Sequence, residues 1–105
     1  INNLMNKEIK KAIDFFNEGR VLEAREILHI NFLQSKKSYE VWLLKGLIES
    51  SQNNYNEAIK SFEKGISIEN NHSEIYNALG SAYYNLKKTE QAIIAFKKSI
   101  DYDKK

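Results

Sequence analysis

The sequence contains no cysteine and no proline. Without cysteine there is no disulfide framework, no thiolate nucleophile and no cysteine-based metal site. Without proline, no residue locks φ or removes a helical N–H, so helices can run uninterrupted. Glycine occurs only at Gly19, Gly46, Gly65 and Gly80, too scattered for a phosphate-cradling loop. Charge of one sign is also lacking. Sixteen Lys and Arg against 14 Asp and Glu leave +2, too weak a surplus to argue for nucleic acid or a membrane surface. No apolar run approaches the ~20 residues of a membrane-spanning helix; Val41-Trp42-Leu43-Leu44 is stopped by Lys45. There is no signal-peptide pattern at the start, and a cytoplasmic setting is expected. The 105 residues amount to one small domain, and the initial Ile1 suggests a piece of a longer chain.

What the sequence does have is a period of 34. Trp42 and Tyr76 stand 34 apart, as do Gly46 and Gly80, Ala58 and Ala92, and Phe62 and Phe96. Ala24 and Glu23 precede Ala58 and Glu57 by the same step. The period divides the chain into units 5–38, 39–72 and 73–105, forming a single domain over 1–105. Each unit reads as two helices. In the third, Ile75, Leu79, Ala82, Tyr83 and Leu86 recur at helical steps, and Ala92, Ile93, Phe96 and Ile100 form a second stripe. The expected helices are 3–18, 21–34, 39–52, 55–68, 73–86 and 89–101, with no sheet. Ser73 and Thr89, each followed by Glu, have the form of N-caps. Gly19-Arg20 and Asn53-Asn54 suit tight turns. Gly46, Gly80, Ala58 and Ala92 mark close approaches of helix backbones, where a larger side chain would overpack by about 1–3 kcal/mol. The aromatics at 42, 62, 76 and 96 fill the space between units.

These residues resemble the tetratricopeptide repeat, whose 34-residue pattern runs aromatic, Leu-Gly, Tyr, Ala, Phe, Pro. The third unit is most similar, with Tyr76, Leu79-Gly80, Tyr83, Ala92 and Phe96. The second keeps Trp42, Gly46, Tyr55, Ala58 and Phe62, but has Lys45 for Leu and Glu49 for Tyr. In the first, Ala12, Phe15, Gly19, Ala24 and Leu28 fit, while Glu8 stands at the aromatic's place. Lys36, Asn70 and Lys104 stand where the family has proline. The resemblance implies an all-α solenoid of antiparallel helix pairs wound into a right-handed superhelix. It also implies a concave groove lined by the first helix of each pair, which binds a peptide or partner protein and performs no catalysis.

Mapped onto this chain, the groove-facing places are Ile9, Ile13, Phe16 and Asn17 in the first unit. In the second they are Leu43, Leu47, Ser50 and Ser51, with Leu44 beside them. In the third they are Asn77, Ser81, Tyr84 and Asn85. They suggest an apolar floor with a polar third segment, suited to an amphipathic helix or an extended apolar peptide. The spacing of Ile9, Ile13 and Phe16 would equally serve a core if the first helix were rotated. Some members of the family grip chaperone C-terminal carboxylates with Lys, Asn and Arg. The matching places here are Ile9, Ile13, Leu44, Glu74 and Ala78, so no such grip is expected.

Other chemistry finds no support. His29 and His72 lack neighbours at ligand spacing, Asp101 and Asp103 lack the rest of a calcium loop, and no nucleophile and base can be paired. No catalytic, cofactor or metal residues are therefore assigned. The lysine pairs at 10–11, 36–37, 87–88, 97–98 and 104–105 alternate with acids, as solvated helix faces do, and no nucleic acid or membrane insertion is expected. Ile93, Ile94, Ile100 and Tyr102 would be partly bare without a capping helix, which makes self-association the rival to partner binding.

Overall fold

The fold is taken from a computed structural model describing residues 2–103, with side chains described from Lys7 onward. Ile1, Lys104 and Lys105 lie outside the described residues, so the last lysine pair and the third proline place are not addressed. Six helices follow one another: α1 (Asn2–Asn17), α2 (Val21–Ser35), α3 (Tyr39–Ser51), α4 (Tyr55–Ile68), α5 (Ser73–Asn85) and α6 (Thr89–Asp103). Among the described residues there is no strand. The helices pair as α1 with α2, α3 with α4 and α5 with α6, and successive pairs stack through α2 on α3 and α4 on α5.

The turn inside each pair has one geometry, repeated every 34 residues. Gly19, Asn53 and Lys87 all take the left-handed conformation, at φ of +82°, +64° and +63°. The next N–H reaches back five residues in each case: Arg20 to Phe15 O, Asn54 to Glu49 O and Lys88 to Tyr83 O, at 2.8, 2.8 and 2.9 Å. This reach-back satisfies carbonyls that the helix end would leave open. Glycine and asparagine accept that backbone readily, whereas lysine does so at a cost. Helix starts depart from expectation. Ser73 and Thr89 are already the first residues of α5 and α6, and the residue before Ser73, His72, makes no side-chain cap bond. The Ser73 carbonyl instead accepts a bond from Ser99 Oγ at 2.8 Å, tying α5 to α6.

Within each pair a small residue faces a large one. A Cβ on Gly46 would clash with the Phe62 ring, and one on Gly80 would sit 2.7 Å from the Phe96 ring. The same places in the first unit hold Ala12 and Leu28, both buried. A larger small residue there is matched by a smaller large one, a swap that keeps volume roughly constant. Between pairs, the aromatic at the fourth place of the second and third units forms a latch. Trp42 Nε1 donates to Lys36 O at 2.5 Å, and Tyr76 Oη donates to Asn70 O at 2.7 Å. Both acceptors occupy the family's proline places, so the carbonyls there are held by the following helix.

Two buried clusters result. One joins Ile9, Ala12, Ala24 and Leu28 to Val41, Leu44 and Ile48 of α3. The other joins Tyr39 and Leu43 of α3 to Phe62, Ile75, Tyr76, Leu79 and Ala82. Helix α3 thus contributes to both. At the far end Ile93, Ile94 and Ile100 are exposed, but Tyr102 is half-buried and stacks on Tyr76 with ring centroids 5.4 Å apart.

Candidate functional site

Helices α1, α3 and α5 touch one another in sequence, while among the described residues α2, α4 and α6 do not. Helices that stay in contact on one side and separate on the other make a curved array, with α1, α3 and α5 on the inside. On each inner helix the proposed groove positions recur at steps of four and three, the spacing of one helical stripe.

The structure divides the twelve expected contact residues into three groups. Ile9, Leu43 and Leu44 are buried, at 6, 8 and 2% exposure; this corrects the reading of Leu43 and Leu44 as an open apolar floor and puts Ile9 on the core side of its two alternatives. The approach of α1 to α3 and of α3 to α5 leaves them no surface for a partner. Ile13, Phe16 and Leu47 are half-buried and pack against the clusters. Asn17, Ser51, Asn77, Ser81, Tyr84 and Asn85 are exposed. Tyr84 stands out with 67% of its surface in solvent, while Asn85 Nδ2 donates back to Ser81 O at 2.8 Å.

Lys45 and Glu49, the two departures from the repeat pattern, prove to be partners. Lys45 Nζ lies 2.6 Å from Glu49 Oε2, and Ser61 Oγ donates to Glu49 Oε1 at 2.6 Å. Each therefore supplies what the other needs in a half-buried place, where a lone charge would be costly. They border an outward-facing cleft of about 870 Å³ between α2 and α3, walled by Leu22, Leu28, Phe32, Leu33 and Ile48. Sequence reasoning missed this cleft. The available signal was that Leu22 and Leu33 fall off the core-facing stripe of α2.

Three tyrosines carry hydroxyls whose pKa is raised, each first by burial. Acidic side chains add to it for Tyr39 (Glu74, Glu40, Glu69) and for Tyr83 (Glu63), and Tyr102 adds to it for Tyr76. All three belong to or pack against the second cluster. Among the described residues no group of three His, Asp or Glu is placed to hold a metal ion.

Two sequence models of known families match the chain, one described as TPR repeat over residues 46–87 and one as tetratricopeptide repeat over 73–105. The chain belongs to the tetratricopeptide repeat family. Its members are protein-interaction scaffolds and not enzymes, so this chain is an interaction module. A curated relative is the small glutamine-rich tetratricopeptide repeat-containing protein 2 of Saccharomyces cerevisiae, 30% identical over 101 residues. The match takes in 95% of this chain, which spans only 25% of that relative's length. Among solved structures, the second TPR of Spaghetti (RPAP3), bound to the HSP90 peptide SRMEEVD, is similar with a TM-score of 0.82 at 20% identity, covering 91% of this chain and 89% of that one. The type III secretion translocator chaperone SycD of Yersinia enterocolitica is similar with a TM-score of 0.85 at 12% identity, covering 95% and 76%. At these identities the likeness concerns the fold. No helix among the described residues is long and apolar enough to cross a membrane.

Proposed function

We propose that units 5–38, 39–72 and 73–105 act as one binding domain whose inner face holds an extended segment or amphipathic helix of another protein. The observation that carries this reading is Tyr84, a large aromatic left 67% exposed on an inner helix. Asn77, Ser81 and Asn85 surround it in sequence and are also exposed. Exposed aromatics beside amides and hydroxyls give contact area with orientation, as binding surfaces do. Ile13, Phe16 and Leu47 supply the apolar part, and Asn17 and Ser51 its polar edge. Without basic residues at Ile9, Ile13, Leu44, Glu74 and Ala78, the face does not grip a peptide carboxylate. The RPAP3 domain was solved with an acidic peptide, so SRMEEVD is a fitting negative control.

Screening the domain against an array of tiled peptides, then titrating the best binder, tests the reading. Tyr84→Ala, at an exposed place, should weaken binding at least tenfold with helicity unchanged. Leu47→Glu should abolish it; unfolding by that substitution would move Leu47 to the core. Binding untouched by Tyr84→Ala, or micromolar binding of SRMEEVD, contradicts the proposal. The cytoplasmic setting and the absence of nucleic-acid binding belong to the same reading; the second is checked by whether any RNA retention survives at 150 mM salt.

A second reading has its own support. Ile93 and Ile100 are exposed, whereas Ile59 and Ile66, 34 residues earlier, pack in the second cluster. The α6 face is thus suited to a further hairpin or a second copy, and Ile93→Glu would disperse any assembly made there.

A further inference from the structure

We propose that the outward face of α2 is a two-fold contact surface on which a second copy of this chain docks, α2 antiparallel to α2. Leu22, Glu26, His29 and Leu33 fall within about 60° of arc at 100° per residue, opposite buried Ala24, and form the α2 rim of the cleft described above. Leu22 and Leu33 are 72 and 80% exposed, and Ile30 beside them 70%. An exposed apolar patch of this kind marks an interaction surface.

The occupant follows from the order of the residues. The steps along the stripe are four, three and four, symmetric about the point between Ile27 and Leu28. A dyad there sets Leu22 against Leu33 of the second copy and Glu26 against His29 of the second copy, twice over. That is the self-complementarity an isologous contact requires, in which i meets j and j meets i. Neither Glu26 nor His29 has a hydrogen bond or ion pair among the described residues, so both are free to serve.

The other outer helices provide the control. The same repeat positions on α4 are Asn56, Lys60, Glu63 and Ser67, polar at both ends. On α6 they are Glu90, Ile94, Lys97 and Asp101, where the same dyad would set acid against acid. Only α2 combines apolar ends with an acid and an imidazole inside. A single-helix contact is smaller than the ~800 Å² per partner of a standard interface, so the dimer is weak, dissociating in the micromolar range or above.

Sedimentation of the 105-residue chain from about 1 to 500 μM tests this. A monomer–dimer equilibrium is expected. Leu33→Glu should weaken it tenfold or more, with helicity intact. Glu26→Lys and His29→Glu should each weaken it, and the double substitution should restore it by setting base against acid again. A monomer at every concentration overturns the proposal. So does a dimer indifferent to Leu33→Glu, one lost with Ile94→Glu instead, or a double substitution no better than the singles.

Discussion

The joint between the first and second units and the joint between the second and third use the same repeat positions with opposite chemistry. In the second joint Ile59 and Ile66 of α4 share a cluster with Leu79, Tyr83 and Leu86. Thirty-four residues earlier the same places hold Arg25, Phe32, Lys45, Glu49 and Gln52. Where the second joint is closed by apolar packing, the first is propped by an ion pair and leaves a cleft between α2 and α3. One backbone plan therefore tolerates either solution, because the hairpin itself is secured elsewhere, by Gly46 against Phe62 and by Ala12 with Leu28. Stacked repeats draw their stability from each unit plus its neighbour contacts, so the two ends of this chain should differ in cooperativity.

The largest expected effect breaks the closed joint. Leu79→Ala removes a buried side chain from it and should cost about 2–5 kcal/mol in chemical denaturation. The open joint responds less. Glu49→Ala removes the acceptor that Lys45 and the buried Ser61 hydroxyl share, leaves them only their long 3.4 Å contact with each other, and should cost about 1–3 kcal/mol. Installing the family's residues, Lys45→Leu with Glu49→Tyr, should instead leave stability unchanged or raise it, because a half-buried ion pair gives way to apolar packing that closes the joint. Trp42, edge-on to Phe32 at 5.2 Å across this joint, reports the change by fluorescence.

Alkaline pH separates the joints without mutation. The raised pKa of Tyr39, Tyr76 and Tyr83 means the folded state holds these protons more tightly than the unfolded state. Their contribution is complete below the ordinary tyrosine value near 10 and is lost as pH rises through the folded values. Hydrogen exchange should therefore quicken in α4–α6 above pH 10, against α1–α2 as reference. The smallest effect concerns the turns: Lys87→Gly relieves a left-handed lysine and should stabilise by up to about 1 kcal/mol, measured by thermal unfolding.

Much of this was legible in the sequence. The 34-residue step located the turns at Gly19 and Asn53, and the helical stripes set element bounds to within two residues. The close approaches at Gly46 and Gly80 were readable because small residues recur there, but Phe62 and Phe96, expected between units, fill them from within the same pair. The burial of Leu43 and Leu44 was not readable, and for Ile9 the spacing left groove and core equally open. Periodicity assigns a helix face but not how near the next helix comes. Lys45 and Glu49 read as departures from the repeat because their meaning lies in each other and in Ser61, sixteen and twelve residues on. The exposed leucines of α2 escaped notice because a repeat pattern directs attention to the positions that recur.

The most direct test of a polypeptide-binding inner face is to titrate the best array peptide into isotopically labelled protein and follow every amide. The account predicts shifts concentrated on α1, α3 and α5, strongest around Leu47, Asn77, Ser81 and Tyr84, with α4 and α6 quiet. Shifts confined to α2, α4 or α6, with Tyr84 unmoved at saturation, would contradict it.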